Sequence, residues 1–256
     1  MPEGDAVWRA AGRLDRALRG KELVGVDLRW GRMPEVELRG RTTLEVVPRG
    51  KHILHRIEGG WTLHSHLRMD GTWRVVPTDA VTPRVARETT IRAIVASEAS
   101  AGIGRKLGML DLLRTELEHT LVGHLGPDLL GADWNAAEAM RRLCETPDRE
   151  IGAALLDQRN LAGLGTMWTA EALWEQHLNP WQLLGDVGQD QLAAVMTSSH
   201  RLLAAAITTD EPVIQVFGRR GWPCGRCGTR IRTAPIGEAP QQRDLSFCPG
   251  CQRAPA

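Results

Sequence analysis

Two cysteine pairs near the C-terminus constrain this chain more than any other feature. Cys224 and Cys227 form one C-x-x-C knuckle, Cys248 and Cys251 form a second, and 20 residues separate them. Two such knuckles can present four thiolates tetrahedrally to one Zn²⁺, and four protein ligands leave no open position for chemistry. The metal is therefore expected to be structural, one per chain, and to fold a small C-terminal module. Redox-active pairs would need a βαβ context, which the flanking sequence lacks. The fifth cysteine, Cys144, falls in a segment with helical spacing and reads as a small buried thiol.

The rest of the chain divides by periodicity. Val7, Ala11, Leu14 and Leu18 share one face of a helix predicted over residues 5–19, and Gly20 supplies its stop. Short β-patterned runs follow: ELVGVDL, TTLEVV, KHILHRI, GWTLHSHL, TWRVV and IRAIV, separated by Gly, Pro and Asp signals. Their number and spacing predict an antiparallel sandwich or barrel. After about residue 110 the period changes, and helices are predicted over 112–121, 134–143, 149–157, 167–177 and 188–208, with Asp133 and Asp148 near two N-caps. The fold class is thus α+β with two domains. A helix plus β-sandwich spans residues 1–122, a Gly- and Pro-bearing hinge 123–131, a helical domain 132–215 and a zinc-finger module 216–256.

The chain has 256 residues and a net charge of +1, so its total charge says nothing about partners. The distribution says more. Residues 212–256 hold seven Arg against Glu238 and Asp244, an excess of five that four zinc-bound thiolates would lower to three. A modest basic patch remains, compatible with phosphate binding. No run of about 18 apolar residues predicts a membrane span, and the acidic, polar MPEGDAVWR does not read as a signal peptide. A cytoplasmic monomer is expected.

Pro2 follows the initiator Met1, and a small second residue permits removal of Met1. The exposed secondary amine would titrate near the ordinary α-amino value of about 8, well below lysine. A neutral amine can attack a sugar's anomeric carbon and form an iminium, and Glu3 beside it can shuttle protons. Alone, this is also how many chains begin before a helix, with Glu favouring the helix dipole.

Five motifs then occur in order: MPEGD at the start, PRGKHIL at 48–54, SHLRMDGTWRVV at 65–76, LLDQRNLAGLGTMWTAEALW at 155–174, and VFGRRGWPCGRCG to CPGCQ within 216–252. Together they resemble the formamidopyrimidine-DNA glycosylase/endonuclease VIII family over nearly the whole chain, closest to its endonuclease VIII side. The resemblance implies an N-terminal helix and β-sandwich joined to a domain with a helix–two-turn–helix motif and a zinc finger. It implies a base-excision repair enzyme, a bifunctional glycosylase and abasic-site lyase acting on damaged DNA, duplex or single-stranded. By the same resemblance Pro2 is the nucleophile and Glu3 its acid/base. Lys51, one of only three lysines with Lys21 and Lys106, contacts the damaged site and a phosphate. Arg68 and Met69 lie where the family carries its apolar wedge, which fills the gap left by a flipped nucleotide. Gly163, Gly165 and Thr166 belong to a turn where the backbone meets a phosphate at a helix N-terminus. Arg243 grips phosphates beside the lesion.

Three positions depart from the family pattern. Ala6 stands where Glu is usual, Thr166 where Asn is usual, and Asp70 puts a negative charge beside the wedge. Purine-specific members carry a long capping loop before the zinc module, and only TTDEPVIQVF, about ten residues, is present here. The resemblance therefore implies oxidised pyrimidines and abasic sites as substrates, with β,δ-elimination leaving a one-nucleotide gap. An oxidised-purine glycosylase, and a DNA-binding protein that has lost catalysis, are the alternatives.

Overall fold

The structure, a computed structural model, describes residues 2–31, 33–209 and 212–253. Met1, and with it the question of its removal, lies outside the described residues. So do positions 210 and 211 of the short connection before the zinc module, and the last three residues of that module. The chain forms two compact units, one of Met1–Pro2 and Ala6–His124, the other of Glu3–Asp5 and Leu125–Ala256.

In the first unit, helix α1 (Gly4–Leu18) precedes strands β1 (Gly25–Leu28), β2 (Thr43–Arg49), β3 (His52–Ile57), β4 (Trp61–His66) and β5 (Thr72–Pro77). A short helix α2 (Pro83–Ala86) leads to β6 (Ile91–Ala96), β7 (Ser100–Arg105) and β8 (Met109–Arg114), and a single turn, α3 (His119–Val122), closes the unit. The strands form two antiparallel sheets, ordered β1-β6-β7-β5 and β2-β3-β4-β8. The predicted face of α1 is buried at Val7, Ala11, Leu14 and Leu18. It shares one apolar core with Val46, Ile53, Leu63 and Leu110 of one sheet and Trp73 and Val95 of the other. The result is the sandwich that the period-2 runs imply.

Two strands differ from the sequence reading. The segment predicted as a helix over 112–121 begins instead with β8, which pairs with β4 from Trp61↔Arg114 to His66↔Met109. Leu112, Leu113, Leu117 and Leu121 mimic helical spacing, but burial of Leu110 and Leu112 between more exposed neighbours follows the strand period. Strand β7 was not predicted, because SAGIGR carries two glycines that weaken any strand signal. A Cβ on Gly102 would come within 2.6 Å of Leu14, so the absent side chain is what lets α1 lie on the sheet.

The second unit holds α4 (Ala136–Cys144), α5 (Ile151–Leu156), α6 (Thr166–Glu175), α7 (Gln189–Ala206) and the hairpin β9 (Arg232–Ile236) with β10 (Arg243–Phe247). The N-cap of α4 is Asn135, two residues after Asp133, and its side chain accepts the Glu138 N–H at 3.0 Å. Helix α5 starts after its N-cap Glu150, two residues past Asp148. Cys144 is exposed at the last position of α4, not buried as predicted, because the buried face of that helix is carried by Ala139 and Leu143. Ile231, Ile236 and Leu245 of the cysteine-bearing module share one core with Leu155, Trp168 and Leu173 of the helices.

Candidate functional site

Glu3 lies just before the first turn of α1, and its side chain is almost fully buried. One carboxylate oxygen accepts the Gly165 and Trp168 amides at 2.9 and 3.3 Å, and the other accepts the Met167 amide at 2.7 Å. Gly165 is the N-cap residue of α6, so Glu3 occupies the N-terminus of that helix. Three amide donors and the positive end of the helix dipole hold a carboxylate in its charged form. Two further contacts tighten the join: the Gly4 amide donates to the Gly163 carbonyl at 2.9 Å, and the Trp168 indole N–H donates to Asp5 at 3.0 Å. Pro2, half-buried, is adjacent in the chain to this fixed carboxylate.

This geometry changes the reading of the glycine-bearing turn. A Cβ on Gly165 would sit 2.4 Å from the Glu3 carboxylate, so the glycine makes room for Glu3. Of the turn residues expected to meet a phosphate, Gly165 gives its amide to Glu3, as do Met167 and Trp168 of the helix that follows. Gly163 adopts φ +99°, and its amide donates to the Gln158 side chain at 3.0 Å. The Gln158 amide in turn donates to the carbonyls of Leu156 and Leu164 at 3.0 and 2.8 Å. Asp157 accepts from Arg149 and Arg159, which hold its carboxyl well below the usual range, although burial opposes them. Thr166, half-buried, opens α6.

The other predicted residues fall into separate places. In the first unit, Gly50 and Lys51 form the two-residue turn of the β2–β3 hairpin, and Lys51 is half-buried. Arg68 and Met69 lie between β4 and β5. Arg68 has φ +52°, and Met69 is 68% exposed, which excludes a place in the core. Asp70, expected to repel DNA, is paired with Lys106 at 3.0 Å, so its charge is offset locally. Ala6 is half-buried in α1. In the second unit, Arg243 is exposed at the start of β10 and donates to the carbonyls of Gln241 and Gln242, both at 2.9 Å.

Around Lys51 the structure assembles a histidine group that the sequence reading did not single out. His64 Nδ1 lies 2.8 Å from Asp111, and His64 Nε2 lies 2.8 Å from His52 Nδ1. Because a carboxylate only accepts, His64 carries its proton on Nδ1, and neutral His52 must then donate from Nδ1. The chain of bonds crosses β8, β4 and β3. His66 stacks edge-on to His52 at 4.8 Å and accepts the Arg68 amide on Nδ1. Burial, then the nearby His66, His64, His124 and Lys51, pulls His52 down to about 3. Burial, Lys51, His64 and Arg68 pull His66 down to about 4. Alternation of His52, His64 and His66 along paired strands was the available signal.

The four cysteine sulfurs all lie within 4.8 Å of one another, with Cys224–Cys251 at 3.9 Å and Cys227–Cys248 at 3.4 Å. Tetrahedral thiolates about 2.3 Å from a zinc ion would be roughly 3.8 Å apart, so the residues fit a metal. Supporting contacts surround them. Gln252 accepts the Cys248 amide and donates to Leu178, and Arg226 lies 3.8 Å over the Trp174 ring and donates to the Trp174 carbonyl. Glu171 of α6, also unpredicted, is buried and accepts the amides of 215–217, each at 2.8 Å.

Comparison with known proteins places this geometry. The family model of the formamidopyrimidine-DNA glycosylase N-terminal domain matches residues 1–110, and that of the formamidopyrimidine-DNA glycosylase H2TH domain matches 125–218. A probable endonuclease 8 2 of Streptomyces coelicolor is 45% identical, covering 100% of this chain and 95% of its own. A DNA-(apurinic or apyrimidinic site) lyase Nei2 of Mycolicibacterium smegmatis is 37% identical over 99% of this chain and 100% of its own. Among solved structures, Lactococcus lactis formamido-pyrimidine DNA glycosylase bound to DNA with an AP site shares the fold. Its TM-score is 0.84 at 24% identity, covering 98% of this chain and 100% of that one.

Two predictions follow from the geometry of the two units. Replacing Glu3 by Gln sets an NH₂ group against a backbone N–H at one of the two oxygens. The loss should be about 1–3 kcal/mol, a few degrees in the thermal midpoint of the second unit, and an unchanged midpoint would refute the capping role. The histidines act through pH. His52 and His66 have folded values below the ordinary 6.5, so the unfolded chain binds more protons between about 6.5 and 4. Their contribution is complete above about pH 6.5 and is lost as pH falls. Melting scans from pH 7.5 to 5, where carboxylates stay ionised, should show a falling midpoint, and His52→Gln with His66→Gln should flatten the fall.

Proposed function

The chain belongs to the formamidopyrimidine-DNA glycosylase/endonuclease 8 family, and on that premise we propose that it is a bifunctional DNA glycosylase and abasic-site lyase of base-excision repair. The observation that carries this reading is the buried Glu3 carboxylate, fixed on the N-terminus of α6 one residue from the Pro2 amine. In the proposed mechanism the neutral Pro2 nitrogen attacks C1′ of a flipped nucleotide, the glycosidic bond breaks, and the base leaves with a proton. Ring opening protonates O4′ and leaves an iminium between Pro2 and C1′. Loss of a C2′ proton then expels the 3′ phosphate, and a second elimination expels the 5′ phosphate. A carboxylate held by three amides favours the charged form, so Glu3 suits two tasks: stabilising the cationic C1′ and iminium, and passing on readily any proton it takes up.

The remaining roles are proposed on the same basis. Lys51 contacts the lesion nucleotide and a phosphate, Arg243 and Thr166 hold phosphates, and Met69, already exposed beside Arg68, enters the gap in the base stack. Residues 123–131 act as the hinge between a 1–122 domain and the helical 132–215 and zinc-finger 216–256 portions. The metal held by Cys224, Cys227, Cys248 and Cys251 is zinc, and it supplies folding free energy rather than chemistry. Oxidised pyrimidines are the favoured lesions. The connection after α7 is short, and Glu171 ties down residues 215–217 of it, which leaves little chain for a cap over a purine. The protein acts as a monomer in the cytoplasm.

Borohydride trapping tests the reading. A covalent adduct is expected on duplexes with an abasic site, and on thymine glycol more than on 8-oxoguanine. An N-terminal extension that turns the Pro2 amine into an amide should abolish it, and Glu3→Gln should slow it by about 10²–10⁴. Preference for 8-oxoguanine would favour the purine reading. Intact DNA binding without any adduct would mean that the changes at Ala6 and Thr166 accompany a silent binding protein. Metal analysis should find one zinc per chain, and its removal by a chelator under mild denaturation should lower the thermal midpoint. Full stability without metal would refute the structural role.

A further inference from the structure

Of the nine tryptophans, only Trp222 is exposed, at 65%, and the other eight are buried or half-buried. It is not on a loose loop. The Trp222 amide donates to the Arg219 carbonyl at 3.0 Å, and the Trp222 carbonyl accepts the Ile231 amide at 2.9 Å. Gly221 before it donates to the Ile231 carbonyl at 2.9 Å, and Pro223 after it bridges to Arg230. Cys224, the first metal ligand, is two residues further on. A rigid frame therefore holds a large aromatic ring in water, where burial elsewhere would have stabilised the fold.

The charges around it are as distinctive. Residues 212–237 contain Arg219, Arg220, Arg226, Arg230 and Arg232 and no Asp or Glu. Elsewhere arginines are commonly paired, as at Arg56, Arg105, Arg149 and Arg201. Among the described residues none of these five has a carboxylate partner. Arg219 and Arg230 donate to carbonyls of their own segment, Arg226 stacks on Trp174, and Arg220 and Arg232 are exposed. An exposed ring on a segment whose arginines have no carboxylate partners suits a partner with a π-face and a phosphate backbone, which is an unpaired nucleotide.

We propose that Trp222 is a stacking site for an unpaired base of a DNA strand, with Arg220 holding the adjoining phosphate. The site extends the proposed DNA contacts beyond the lesion nucleotide and rests on the DNA-binding reading. It predicts that a single strand is gripped by two separable effects, stacking at Trp222 and charge at Arg220.

The test uses the metal-loaded full chain and a fluorescently labelled 12-nucleotide oligothymidylate, with anisotropy titrations at several salt concentrations. Trp222→Ala should weaken binding by about 5- to 100-fold with the salt slope unchanged, and Trp222→Phe should recover most of the loss. Arg220→Gln should reduce the slope of log affinity against log salt by roughly 0.7. Since both side chains are exposed, the thermal midpoint should not move. Equal affinity of wild type and Trp222→Ala at every salt, or no binding by wild type, overturns the site. Trapping on the abasic duplex is scored separately. A wild type that traps while Trp222→Ala binds like it refutes only the stacking site. One that binds through Trp222 without trapping refutes only the catalytic reading.

Discussion

The Glu3 carboxylate on the N-terminus of α6 is the interaction on which the proposed chemistry depends. A helix start leaves amides without partners, and a buried carboxylate needs donors. Here each satisfies the other, across more than 160 residues of sequence. The turn before α6 is built to allow it. Gly165 has no side chain where the carboxylate lies, and Gln158 satisfies both an amide and two carbonyls of the loop that delivers Gly163 and Gly165. The position of the carboxylate beside Pro2 is thus set by hydrogen bonds that would be left unmade if it moved, not by packing alone.

Helix α6 extends the same logic along its length. Its first turn holds Glu3 and, through Trp168, Asp5. Its middle carries Glu171, which gathers the amides of 215–217 on the way into the cysteine module. Its last turn carries Trp174, against which Arg226 of the first knuckle stacks. One short helix therefore fixes the proposed acid/base, the strand of chain that would have to lengthen to make a capping loop, and the metal knuckle. This explains why six of its ten residues are buried, and why a strongly amphipathic pattern was never available to mark it.

What the sequence made legible follows from which signals are local. The spacing of α1, the alternation of β2 to β6 and the two cysteine knuckles are each decided within a few residues, and all appear in the structure. The errors arise where a distant partner decides. Strand β8 looks helical until β4 pairs with it, and β7 looks weak until Leu14 fills the space above Gly102. Distant partners are equally silent in the sequence at Asp70, which Lys106 reaches, and at the start of α6, whose amides Glu3 takes. Glu171 and Gln158 gave no signal of their own, since a lone acid or amide in an apolar helix or turn has many readings.

The departure at Ala6 can be weighed against the same hydrogen bonds. A Glu at that place would add a third carboxylate to a start that already carries Glu3 and Asp5. Both of those are buried, and both are held by donors from α6: the backbone for Glu3, the Trp168 indole for Asp5. Ala6 is only half-buried and belongs to the other unit, so it is not part of this capping arrangement. Its change therefore leaves the fixed negative charge beside Pro2 intact. Thr166 is the weightier departure. It opens the helix, and Glu3 takes the amides of Gly165, Met167 and Trp168 but not that of Thr166, so a phosphate arriving there would rely on the Thr166 backbone N–H and on one hydroxyl in place of a side-chain amide.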